Sequence, residues 1–384
     1  MLLFALCLCG LAASVSARTM DPLVTVLAAD FSVAVASAAL IVSAYTLPFA
    51  LGQPVLGPLG DVYGRPRMLK ACLWLLAAFL LAAALAPTLD LLFVARFCAG
   101  LAAGGIIPAC MATIGDTYPP RKRQLAISKF VTVGLLAQIF SASISGVLAE
   151  TFGWRSVMVA SSSLAIVGAL MATLVLRTPA APRKSFSLQV AAANYAAVFR
   201  NPKALLCYTT VFLEGVALYG MLPYIAQILA DDGLGGPRQA GMIIGALGVG
   251  GIAYTSILSL LLRRFSRPHF MAAGGVLMTF GPLGLAIAPS WPIMAACMGV
   301  AGFGFMLLHN SIQTEVVELA PEARQSAYSL HAFSFFTGQA IGPALFGAGL
   351  SGIGARATLS VDAAIMLATG LTISALFARV ASRG

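Results

Sequence analysis

Twelve long apolar runs separated by short polar breaks decide what this chain can become. They fall at about 2–19, 32–56, 69–87, 90–115, 125–149, 154–176, 204–229, 239–262, 270–288, 292–316, 327–350 and 359–378. A helix rises 1.5 Å per residue, so about 20 apolar residues cross the hydrocarbon core of a bilayer. Each run is read as one crossing. Hydrophobic residues make up 60% of the 384 and charged residues 9%. A soluble domain carries about 25% charged residues, so this chain cannot cover itself with polar surface in water. The predicted fold class is an all-α polytopic membrane protein of 12 transmembrane helices in two pseudo-symmetric six-helix halves. The 38 glycines and 20 prolines suit that class. Small residues let membrane helices approach, and neighbouring helices satisfy backbone groups that proline frees.

The net charge of +10 invites a nucleic-acid reading, and its distribution argues against one. Of 23 basic residues, only Arg18, Arg155, Arg238 and Arg356 fall in alternate loops on one side, and Arg96 lies within a span. The other 18 fall on the opposite side, which the positive-inside rule makes cytoplasmic, together with both termini. Met1–Ala17 has the apolar run of a signal peptide and ends in Val15-Ser16-Ala17, but no basic segment precedes it. Cleavage there would leave eleven spans and break the charge alternation, so an uncleaved first helix is expected. The seven cysteines, at 7, 9, 72, 98, 110, 207 and 297, all lie in spans and form no C-x-x-C pair. They are read as small apolar filling.

The longest polar interruption, 177–203, divides residues 1–176 from residues 204–384. Within it Leu188, Ala191, Ala192, Tyr195 and Phe199 recur at helical spacing, which predicts a short helix along the membrane surface. The halves repeat. At an offset of 201, Pro120, Arg123, Gln124, Ala126, Ser128, Gln138 and Gly146 match Pro321, Arg324, Gln325, Ala327, Ser329, Gln339 and Gly347. Parallel halves of this kind are a transporter architecture.

The polar stretch between the second and third runs reads Gly57-Pro58-Leu59-Gly60-Asp61-Val62-Tyr63-Gly64-Arg65-Pro66-Arg67-Met68-Leu69. It resembles the signature loop of the major facilitator superfamily, G-x-L-x-D-x-x-G-R-x-R-x-L, with every specified position filled. Arg96-x-x-x-Gly100 with Gly104 resembles the family's helix 4 motif, whose arginine faces the cavity and is linked to proton coupling. The resemblance implies alternating access about a midplane site. It also implies a charged inner latch formed by Asp61, Arg65 and Asp116 with Arg121 to Arg123, alongside Gly57, Gly64 and Arg67 of the loop. A reduced copy of the loop, Phe265-Ser266-Arg267-Pro268-His269, lacks the Asp and the glycines. The drug:proton antiporter branch carries G-x-x-x-G-P-x-x-G-G on helix 5. Ala137 to Gly146 lacks its proline and three of its glycines, whereas Gly338 to Gly347 on helix 11 matches better.

Ionisable groups inside spans are costly and are functional candidates by default. Glu214, read as the one acid near mid-membrane, is the leading proton-coupling candidate; it could equally counter a cationic substrate or bond permanently to a neighbouring helix. Arg96 and His309 are the other coupling candidates, and His331, at the start of helix 11, a weaker one. A structural arginine and neutral, hydrogen-bonded histidines are the alternatives. Arg18 and Asp21 are read as an outer pair capping helix 1, with Pro22 ending the turn. Asn310, Gln313, Gln138, Gln339, Tyr45 and Tyr219 are the candidate substrate-cavity residues, with core packing or helix fastening as the alternative.

An enzyme would need a nucleophile with its base or a set of metal ligands. Three histidines without H-E-x-x-H or G-x-S-x-G do not supply one, and no cofactor or metal is expected. The expected function is proton-coupled efflux of a small molecule, with symport or facilitated diffusion as the alternative. The expected partners are that substrate, protons and the lipid bilayer of a bacterial inner membrane, with the chain acting as a monomer.

Overall fold

The computed structural model describes residues 1–176, 188–321 and 323–381. Among them there are helices and no strands. The side chains of Asp61, Arg121 and Arg123 and the packing around Gly57 lie outside the described set. The chain divides into two compact units, Met1–Ser187 and Leu188–Gly384.

In the first unit, helix 1 runs Leu2–Arg18, passes a 3-10 turn at Asp21–Leu23 and continues as Val24–Asp30. Helices 2 and 3 are Val35–Tyr63 and Arg65–Ala84. Helix 4 is Leu89–Gly104 followed by Ile106–Thr117, and helices 5 and 6 are Pro120–Phe152 and Trp154–Val175. The second unit opens with a short helix, Leu188–Phe199. Helix 7 is Ala204–Gly220, a 3-10 turn Leu222–Tyr224, then Ile225–Asp231. Helix 8 is Pro237–Leu261, and helix 9 is Arg267–Met278 followed by Phe280–Ile287. Helices 10 to 12 are Trp291–Glu318, Arg324–Ile353 and Ala355–Ala381. Ten of these twelve are long and apolar enough to cross a membrane by length and composition. Helices 5 and 11 are the remaining pair. Helix 11 is diluted by Ser329, His331, Ser334, Thr337 and Gln339.

Two expectations are corrected by these boundaries. Helix 1 does not end near residue 19. Pro22 occupies the first turn of the 3-10 segment, where its missing N–H breaks no helical bond, so the chain turns slightly and goes on. The polar stretch after residue 56 is likewise no long break between helices. Helix 2 continues to Tyr63, and Gly64 alone, at φ +92°, makes the corner. A side chain would resist that backbone conformation. Pro66 then starts helix 3.

The internal repeat extends well beyond the loop where the sequence shows it. Helix 7 is broken at the place where helix 1 is, and Pro22 answers Pro223 at an offset of 201. Helices 5 and 11 end on Gly153 and Gly354, with φ of +79° and +82°. Helix pairings repeat as well. Helices 1·5, 2·4, 3·4 and 3·6 pack in the first unit, and 7·11, 8·10, 9·10 and 9·12 in the second. Gly100 lies against the Tyr45 carbonyl so closely that any Cβ would collide with it, and Gly302 stands in the same relation to Leu247, at an offset of 202 in both cases. The glycine pattern thus exists for close backbone approach.

Candidate functional site

In the second unit, Glu214 lies on helix 7 with its side chain 1% exposed. Gly215 beside it and Gly338 on helix 11 face the partner backbone at Phe335 and Phe212, with no room for a Cβ. Oε2 of Glu214 lies 2.9 Å from Nδ1 of His309 on helix 10, while Oε1 is buried and has no hydrogen-bond partner. The His309 ring lies 4.8 Å from that of His331 and 4.6 Å from that of Phe335, centroid to centroid. Phe305 covers another side at 4.8 Å. Tyr219 meets both phenylalanines edge-on. Nε2 of His331 is buried without a partner. Three side chains singled out separately in the sequence are thus one cluster: a carboxyl and two imidazoles inside an aromatic wall. His331 does not start helix 11, which begins at Arg324, two turns earlier.

The first unit holds a second polar cluster, at the break in helix 1. Arg96 on helix 4 is 0% exposed. Its Nη1 donates to the Ser16 carbonyl at 3.1 Å, and its guanidinium lies 4.2 Å over the Tyr45 ring. The Tyr45 hydroxyl in turn shares a 2.8 Å hydrogen bond with the Ser16 hydroxyl. Nη1 of Arg18 lies 3.5 Å from Asp21, which is within electrostatic reach of both arginines. Arg18 and Asp21 are 6% and 0% exposed, so the pair is an interior one rather than an outer cap. The correction follows from the helix continuing past Pro22. Glu214 is not alone among the acids in being buried. Asp21 and Asp362 of helix 12 share that burial. Asp362 gave no signal beyond its place near the end of an apolar run.

The remaining candidates are dispersed. Gln339 is buried and Gln138 half-buried. Asn310 contacts the Met306 sulfur at 3.8 Å, and Gln313 is half-buried one turn beyond His309. Tyr208 and Tyr224 donate to the Ala327 and Pro343 carbonyls at 3.2 and 2.8 Å, which fastens helix 7 to helix 11. A groove of about 450 Å³ between helices 1, 5 and 6 is walled by Leu11, Val15, Phe140, Ile144 and Leu164. It takes in none of the candidate residues.

Arg65 pairs with Asp116 and donates to the Ala112 carbonyl at 3.3 Å, joining helix 3 to the end of helix 4. Arg67 is exposed. The reduced copy of the loop keeps this feature in stronger form. Arg267 reaches Glu315 at 2.6 Å and Glu318 at 3.0 Å on helix 10, and Lys203 lies 3.9 Å from Glu315. Hydrogen bonds from Arg267 hold the Glu318 carboxyl below its usual range. The sequence comparison missed the acids because they sit on helix 10, about fifty residues from the loop.

The Major Facilitator Superfamily model matches residues 6–268 and 205–383. Among relatives, the uncharacterized MFS-type transporter YfhI of Bacillus subtilis is 26% identical over 97% of this chain and 93% of its own length. YwfA of the same organism is 28% identical, but the match covers 60% of this chain and only 56% of that relative. The purine ribonucleoside efflux pump NepI of Escherichia coli is 22% identical over 76% of this chain and 72% of the pump. Among solved structures, the nucleoside transporter NupG (D323A mutant) superposes with a TM-score of 0.79, at 13% identity, over 98% of this chain and all of that one. The broken helices 1 and 7, the repeated helix pairings and a family match to both units lead to one assignment: this chain belongs to the Major Facilitator Superfamily.

Proposed function

We propose that this membrane transporter couples the export of a small molecule to protons, by alternating access, through the Glu214–His309–His331 cluster. One observation carries the reading: the buried Glu214 carboxyl has one oxygen on an imidazole nitrogen at 2.9 Å and the other without a partner. A carboxyl in an apolar wall changes its charge by one proton, and the adjoining rings give that proton a second and third seat. Phe305 and Phe335 pack against the His309 ring and leave only 12% of its side chain exposed, which narrows the route by which a proton arrives. The relative named as an efflux pump supports the export direction. The charge bias of the loops supports an inner-membrane orientation with residues 177–203 and both termini inside. Labelling a single cysteine at Ser185 from outside intact cells would contradict that orientation.

The test is flux in proteoliposomes with an imposed pH gradient and a broad compound panel. Glu214→Gln keeps the shape of the protonated carboxyl. It is expected to retain substrate exchange and lose uphill transport driven by the gradient. Unchanged uphill transport would leave Glu214 structural. Loss of cation exchange alone would make it a substrate counter-ion. Asp61→Asn is expected to reduce flux sharply in a folded protein, through the inner latch.

A second reading, proton symport or facilitated diffusion, is favoured by helix 5. Ala137 to Gly146 lacks the proline and three of the glycines of the antiporter pattern. Accumulation toward the alkaline side would select symport. Flux indifferent to the gradient would select diffusion.

A further inference from the structure

We infer that the Arg96 cluster of the first unit is a recognition site for a carboxylate-bearing substrate. The word substrate rests on the transport reading above; the binding itself does not. Two contacts lock the Arg96 guanidinium. Its face lies on the Tyr45 ring at 4.2 Å, and Nη1 donates to the Ser16 carbonyl at 3.1 Å. What is left is the edge formed by Nε and Nη2, and neither atom has a hydrogen-bond partner although the residue is 0% exposed. That edge presents two parallel N–H groups, the geometry that a carboxylate accepts side-on. Leaving both donors unmatched in an apolar interior is costly, so their orientation calls for an occupant.

The charge balance gives the same answer. Two buried guanidinium groups, Arg18 and Arg96, face one carboxylate, Asp21, which lies nearer Arg18. Asp21 is the one carboxylate within electrostatic reach of Arg96 among the described residues. Arg96 therefore has no carboxylate of its own among these residues, and a bound anion would supply one.

The fold does not require these charges. The second unit builds the same broken helix and the same 2·4-type packing with Gly220, Leu222, Leu247 and Met298 at the positions of Arg18, Asp21, Tyr45 and Arg96. A structural need would have left charges in both copies.

The test is equilibrium binding and thermal shift on the purified full chain, with acetate, hexanoate and benzoate each set against its amide at fixed chloride. At least one carboxylate is expected to bind tenfold or more tightly than its amide. Arg96→Lys keeps the charge and loses the two-point edge, and should weaken that binding at least tenfold. Asp21→Asn removes the one negative charge that acts on Arg96 and should tighten carboxylate binding about tenfold while leaving the amide unchanged. A purely structural Asp21 would give no such gain, so this variant also decides the matter if Arg96→Lys fails to fold. The inference is overturned if no carboxylate outperforms its amide, if Asp21→Asn leaves binding unchanged or weakens it, or if chloride alone binds in an Arg96-dependent way. Carboxylate binding in a protein without flux would sink the transport reading and leave this site standing. Flux of neutral compounds without carboxylate preference would do the reverse.

Discussion

The two units use one scaffold for opposite chemistry. At the break in helix 1 the first unit buries Arg18, Asp21 and Arg96, and helix 7 of the second unit is apolar at the corresponding place. The second unit buries Glu214 and His331 beside a half-buried His309, and positions 202, 201 and 202 earlier hold Ala12, Phe130 and Ile107. Neither cluster belongs to the repeated framework. The repeat supplies broken helices and glycine-lined contacts, and each copy adds its own polar group. A membrane interior tolerates such groups only at a cost, so their unequal placement points to function rather than to folding.

The largest effect that could break this comparison is expected at the helix 7·11 contact. Gly338 faces the Phe212 carbonyl with no space for a Cβ, whereas among the described residues a Cβ at Gly134 on helix 5 would meet only the Ser14 hydroxyl, at 3.4 Å. Gly338→Val should destabilise the protein by about 3 kcal/mol or more and scatter the aromatic wall around His309. Gly134→Ala should change stability by less than about 1 kcal/mol. Similar melting losses for the two in detergent would show that helices 1·5 and 7·11 pack alike.

His309→Ala is the next largest. It removes the one hydrogen-bond partner of Glu214 among the described residues, and a buried charged or polar acceptor left bare costs about 2 kcal/mol. The loss should shrink in Glu214→Gln/His309→Ala, because the double variant no longer strands a carboxyl. A full additive loss in the double-mutant cycle would mean that the pair does not interact.

Tyr45→Phe sharpens the other side. It deletes the hydroxyl held at 2.8 Å by Ser16 and leaves the ring under Arg96, so the expected loss is about 1 kcal/mol. Tyr45→Leu, which takes the residue found at the matching position of the second unit, should cost more because the cation loses its aromatic face.

The smallest effect concerns the surface pair. The Glu318 carboxyl is held below its ordinary range by Arg267, so its contribution to stability is complete above the unfolded pKa of about 4.3 and fades as pH falls through the lower folded value. The side chain is 56% exposed, so salt should screen much of the effect. The melting difference between Glu318→Gln and the parent should be smaller at pH 3.5 than at pH 7. A difference that does not shrink as pH falls would sink the ion-pair account.

Much of this was legible in the chain itself. Twelve apolar runs, the filled loop from Gly57 to Leu69 and the offset of 201 between Pro120 and Pro321 give class, helix count and family, because bilayer thickness and the price of exposed polar groups act on every residue locally. Three things depended on tertiary structure. Helix 1 continues beyond Pro22, since proline in a first turn interrupts no bond, and that turned an apparent outer cap into a buried charge cluster. Arg267 recovers the acids its loop lacks from helix 10. Glu214, His309 and His331 come from helices 7, 10 and 11 and meet around the His309 ring, where Gly215 and Gly338 also let helices 7 and 11 touch backbone to backbone. Residues some ninety apart in sequence carry no mutual signal, and short-range hydrogen bonds and charge pairs are decided by where packing brings them.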